Sequence, residues 1–139
     1  MKLALALLLA SATPALANNA LTVKEADVVN KVRETTLEAV RLRGGAATIL
    51  ADAKGISVYT FDSDTKGVSN CKGGCLKEWP TLKVAADEQI PAPFGKIQGN
   101  DGKAQLTLDG LPLYYYVDDG KPGDVNGDYP SWHPVIVVK

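Results

Sequence analysis

The sequence predicts a mainly β fold: a two-repeat antiparallel β domain with an N-terminal helix. Three observations carry that expectation. Two short apolar hairpin patterns, "ATILADAKGISVYTFD" and "AQLTLDGLPLYYYVDD", stand far apart in the chain and share a layout. With "GISVYTFDSD" placed over "GLPLYYYVDD", Gly55 falls on Gly110, Tyr59 on Tyr114, Phe61 on Tyr116 and Asp64 on Asp119. Both copies then run through Gly-rich, Lys-containing loops to a Trp shortly before a Pro, at Trp79-Pro80 and Trp132-His133-Pro134. A period of roughly 50 residues implies one supersecondary unit used twice, neither copy able to bury its apolar face alone.

The elements follow in chain order. "MKLALALLLASATPALA" carries one positive charge at Lys2, an apolar run too short to span a bilayer, and a small-x-small close at Ala15-Leu16-Ala17. Residues 1–17 are therefore expected to be a secretory signal peptide, cut before Asn18, which places the mature chain in the periplasm or outside the cell. Residues 18–45 form the expected helical segment. Thr22 followed by Glu25 matches a capping box, and Val28, Val29, Val32, Ala39 and Val40 recur at roughly helical spacing before Gly44-Gly45. That spacing predicts a helix over about 23–34. Its continuation to 43 competes with a strand, because Val40-x-Leu42 suits either. Residues 46–139 are the duplicated β domain, with repeats at about 46–80 and 95–135. Asp52-Ala53-Lys54-Gly55 and Asp109-Gly110 are the hairpin turns, Gly95 to Gln98 a further strand, and Val135 to Val138 a closing strand.

Charge narrows the partners. With 15 basic and 16 acidic residues the chain has a formal charge of −1, so it offers no basic excess to a nucleic acid. No second long apolar run follows the leader, and no stable membrane insertion is expected. An unidentified envelope protein or small ligand is left as the expected partner, with no cofactor.

The repeated residues carry a resemblance. Tyr-x-aromatic-x-x-Asp, present as "YTFDSD" and "YYYVDD", resembles the motif of a bacterial secreted-repeat family of predicted lipoproteins. "SNCKGGCLKEWP", "GLPLYYY", "KPGDVNGD" and "WHPV" are similar to further family segments in the same order, over roughly residues 46–138. The resemblance implies an exported repeat domain with no established activity. No cysteine lies near the cleavage site, so the lipid anchor does not carry over.

In a strand, Tyr59 and Phe61 share a face, as do Tyr114 and Tyr116. These same-face pairs are expected to meet in the core. Asp64 and Asp119, at the strand ends, are expected to accept backbone N–H bonds and fix the following loops. The functional alternative is an aromatic-lined cleft that stacks a sugar or other planar ligand, with Tyr115, Trp79, Trp132 and His133 as contacts. "DVNGD" begins like a calcium loop, but Tyr129 stands where that loop needs Gly and Val135 where it needs a carboxylate. A solvated turn is favoured over an irregular oxygen site from Asp118, Asp119 and Asp124. The single histidine, His133, gives no catalytic dyad by spacing.

Cys71 and Cys75 complete the inventory. Haem attachment needs Cys-x-x-Cys-His, zinc needs about four ligands, and a thioredoxin-type pair needs Cys-x-x-Cys in a βαβ setting. None of these fits. Two readings remain: a disulfide, favoured by the oxidising compartment and by Gly73-Gly74 between the cysteines, and a copper-handling or redox site of Cys71, Cys75 and His133. The sequence thus points to a non-enzymatic exported binding or interaction module, with the copper site as the rival. A hydrolase using Asp64 and Asp119 as paired acids ranks third.

Overall fold

Each predicted hairpin turns on its glycine. The computed structural model describes residues 20–28, 37–42 and 47–139. Gly55 has φ +81° and Gly110 φ +86°, a backbone region that side chains disfavour. In the first turn Asp52 Oδ1 accepts the N–H groups of Lys54 and Ile56, so the side chain closes what the backbone begins.

The strands are β1 (Thr22–Lys24), β2 (Leu37–Arg41), β3 (Thr48–Asp52), β4 (Tyr59–Phe61), β5 (Phe94–Gln98), β6 (Ala104–Leu108), β7 (Leu111–Pro112), β8 (Trp132–Pro134) and β9 (Ile136–Val138). Among the described residues a short helix, α1 (Gly74–Glu78), lies in the cysteine loop. The strands form a four-stranded sheet ordered β1-β9-β3-β2, a two-stranded β4-β8 ribbon and a three-stranded β5-β6-β7 sheet. All these pairings are antiparallel except β1 with β9, which is parallel.

The chain is therefore mainly β, but the expected N-terminal helix is not supported. Thr22 to Lys24 form a strand, and Glu25–Asp27 make only a 3-10 turn without a side-chain cap, so the Thr22–Glu25 capping box does not form. The β-branched Val23 is buried on β1 beside Val137, where a pleated surface suits it better than a helix does. Between 37 and 41 the strand alternative holds. Leu37 and Ala39 pack on the core while Glu38 is exposed, a period of two. The rest of the expected helix, and residues 1–17, lie outside the described residues.

Alternation along the repeated strands divides the interior in two. Val58 and Leu113 join an aliphatic core with Leu37, Leu50, Leu82, Phe94, Leu106, Leu108 and Val135. Their neighbours Tyr59 and Tyr114 point the other way, into an aromatic core with Trp79, Tyr116, Trp132 and Cys71.

The two repeats exchange their ends. After its hairpin, the first repeat crosses over: Leu82 donates to Leu113 O, and Leu82 O accepts from Leu106 N. After its own hairpin, the second repeat crosses back: Val135 donates to Val58 O, and Val135 O accepts from Leu50 N. At the centre, Tyr59 and Tyr114 exchange backbone hydrogen bonds at 2.8 and 3.0 Å. Contacts that are the same in both directions describe an approximate two-fold relation between the halves.

Candidate functional site

The aromatic core is built from the residues that the repeats share. Trp79 and Trp132 stack face to face, with centroids 3.8 Å apart and planes 1° from parallel. Phe61 stacks on the outer face of Trp132 at 4.1 Å, and Tyr116 lies on that of Trp79 at 4.5 Å. The result is a four-ring column. Tyr59 meets Trp79 edge-on at 5.4 Å and Tyr114 meets Trp132 edge-on at 5.1 Å, so each tyrosine contacts the tryptophan of its own repeat. Gly127 packs beneath this column; a Cβ there would lie 2.7 Å from the Trp79 ring and 2.9 Å from Tyr116.

The hydrogen bonds of the same residues cross between repeats. Tyr59 Oη donates to Asp119 Oδ2 at 2.6 Å and accepts from Gly127 N at 3.1 Å. Tyr114 Oη donates to Asp64 Oδ2 at 2.6 Å and shares a 2.6 Å bond with Ser69 Oγ. Each carboxylate's second oxygen accepts a backbone N–H from the loop that follows it: Asn70 N to Asp64 at 2.7 Å, and Asn126 N to Asp119 at 2.9 Å. The Asn70 and Asn126 side chains repeat the symmetry by donating to Ser63 O and Asp118 O.

Burial sets the electrostatics. It pushes both phenols far above their ordinary range, and the partner carboxylates push the same way. It also raises Asp64 and Asp119, against the Asn70 N–H and Tyr114 hydroxyl on the one and the Tyr59 hydroxyl and Asn126 N–H on the other. Tyrosines that hold their protons beside doubly bonded carboxylates are suited to fixing loops, and poorly suited to giving or taking a proton near neutral pH.

The other sequence-selected residues are placed as follows. Cys71 and Cys75 are joined by a disulfide, with Cα atoms 5.3 Å apart. Bonded sulfurs are not thiolate ligands, and among the described residues no group of three or more His, Cys, Asp or Glu side chains could hold a metal ion. The copper alternative thus has no support. Trp79 and Trp132 are buried with both faces covered, so they cannot form the proposed stacking platform. Tyr115 is half-buried with its hydroxyl on Asp52 Oδ2 at 3.0 Å. Asp124 accepts from the N–H groups of Gly120 and Lys121, and Asp118 receives the Tyr116 hydroxyl at 3.3 Å. Those two carboxylates hold their own turns. His133 Nε2 pairs with Asp62, at 3.0 Å to Oδ1 and 3.1 Å to Oδ2.

Sequence reasoning missed Ser69, Asn70, Asn126, Gly127 and Asp62. Asn70 and Asn126 follow Asp64 and Asp119 at nearly the same distance, a correspondence visible once the alignment is carried past the motif. No such signal exists for Asp62, whose counterpart is Val117.

Comparison with known proteins agrees with the duplication. A family model described as a secreted repeat of unknown function matches residues 46–83 and again 95–136. Searches of curated proteins and of solved structures found no match.

Proposed function

The chain belongs to the family of secreted repeats of unknown function, and from that premise we propose that it is an exported, non-enzymatic binding or interaction module of the bacterial cell envelope. A secreted or periplasmic location follows from the family, and among the described residues no helix is long and apolar enough to cross a membrane. One observation carries the reading. The repeated tyrosines and aspartates bond to one another across the two halves, so the duplicated chemistry is spent on holding the fold. A scaffold whose polar interior is engaged in this way presents its activity on the surface, where the halves differ.

The test is capture. Mature protein immobilised on a solid support and exposed to an envelope extract is expected to retain a component saturably, and free protein should compete it off. Retention no greater than on a blank support would overturn the reading. Asp64→Asn and Asp119→Asn should lower the melting temperature while leaving capture intact at temperatures where they remain folded. Loss of capture in a folded carboxylate variant would instead place function in the motif.

A further inference from the structure

The halves also differ in chemistry on the outer face of the β4-β8 ribbon. Its register pairs Tyr59 with Pro134 and Thr60 with His133. In the other half Tyr114 bridges to Thr81, and Tyr115 N donates to Pro80 O. Thr60 therefore corresponds to Tyr115, His133 to Pro80, and Asp62 to Val117. The second half covers its ribbon with the Tyr115 ring, which packs on the aliphatic core and sends its hydroxyl to Asp52. The first half puts a threonine at that position, and a cleft of about 470 Å³ opens there.

The lining defines a chemistry. Leu21, Phe61 and Leu111 supply apolar walls, and Thr60, Asp62 and Asp64 supply oxygen. Thr60 is only 5% exposed, and among the described residues its hydroxyl has no hydrogen-bond partner. The Asp62 side chain is 36% exposed and is steadied from the ribbon by His133. The oxygens of Asp64 are already occupied by Asn70 and Tyr114. A volume of this size fits one small ring, and apolar walls with a few placed polar groups are the usual make-up of a ligand site. Beyond its pair with His133, the part-exposed Asp62 carboxylate still presents an anionic acceptor to the cleft, and Thr60 presents a hydroxyl, so the group they match is a hydrogen-bond donor.

We propose that this cleft is the ligand site of the module, and that it takes a small aromatic compound bearing an ammonium or hydroxyl donor, in the manner that Tyr115 occupies the corresponding position of the other half. The inference rests on the binding-module reading and gives it a ligand class. Asp62 meets the donor, Thr60 provides a second polar contact, and the leucines and Phe61 hold the ring.

Tyramine, which has a ring, a phenol and an ammonium, is the probe, and calorimetric titration of the full mature protein is the measurement. Saturable one-to-one binding is expected, with benzoate, an anion of similar size, failing to bind. Thr60→Tyr, which restores the plug of the other half, and Asp62→Asn are each expected to weaken tyramine at least about tenfold, the loss of roughly one good polar contact. No saturable binding by the wild-type protein overturns the proposal, as does wild-type affinity in either variant when it is folded by melting temperature. If Thr60→Tyr does not fold, the exposed Asp62→Asn decides. Envelope capture run in parallel separates the two readings: failed tyramine binding with capture retained removes the cleft alone, and failure of both removes the module.

Discussion

At the scale of single residues, each motif tyrosine has two jobs that a phenylalanine could only half perform. Its ring packs edge-on against a tryptophan, and its hydroxyl joins the carboxylate of the other repeat to a group in the loop beyond it. Tyr59→Phe keeps the ring but leaves Asp119 Oδ2 and the Gly127 N–H without that partner. The expected loss of stability is about 1–3 kcal/mol by urea unfolding. A loss below about 0.5 kcal/mol, typical of a surface change, would refute the lock. The carboxylates predict a pH dependence of definite sign. Burial raises Asp64 and Asp119 above the ordinary value of 3.8, so the folded protein holds their protons more tightly than the unfolded chain does. Their contribution to stability is therefore full below that value and is lost as pH rises through the raised folded values. The stability of the wild type relative to the Asp64→Asn, Asp119→Asn double variant should fall from acid toward neutral pH and then level off. A relative stability that rises over that window contradicts the assignment. Alignment of the repeats made the residues of this site legible, but not their partners. The sequence shows that Tyr59 and Asp64 recur; only the exchange of ends makes Tyr59 bond to Asp119 rather than to its neighbour in sequence.

At the scale of elements, the loops after the two aromatic strands reach the same place by different means. In the second repeat, Gly127 lets the backbone lie directly against the Trp79 and Tyr116 rings. In the first, the Cys71–Cys75 bridge closes the loop at α1, and Cys71 is packed in the aromatic core. The Asn100 side chain holds that loop from outside by donating to Ser69 O and Cys71 O. So small a closed loop adds only about 2 kcal/mol in the chain-entropy model. Reduction is thus expected to lower the melting temperature without unfolding the protein, and thiol titration of untreated protein should find no free thiol. Two titratable thiols in protein purified without reductant would contradict the bridge. The hairpins were legible because a turn glycine and alternating apolar residues act locally. β2 was half legible, as the strand alternative around Val40, but β1 was not. Thr22 to Lys24 become a strand only because β9, the far end of the chain, lies alongside them. A local pattern of valines cannot report a partner more than a hundred residues away.

At the scale of the whole molecule, the exchange of ends means that neither sequence repeat is a structural unit. The hairpin of the first repeat is completed by β8 and β9 from the second, while Thr81 to Val84 of the first complete the sheet that holds β6 and β7. The polar locks cross in the same way, and the tryptophan pair belongs to both halves at once. Opening one half would strip its partner of strands, of hydrogen bonds to buried carboxylates and of half its ring column. Partial unfolding therefore exposes nearly as much surface as complete unfolding does, and the described β domain should behave as one cooperative unit. Two amides report on this directly. Leu50 N–H is held by Val135 O in one half, and Leu82 N–H by Leu113 O in the other. In native-state hydrogen exchange both should open at the same free energy, equal to the global value from urea unfolding, and Tyr59→Phe should lower both by the same amount. Halves that were independent, like beads on a string, would give two values, and the substitution would move only one of them. Equal shifts at both amides are what a scaffold with exchanged ends requires, because its two copies have no separate route to unfolding.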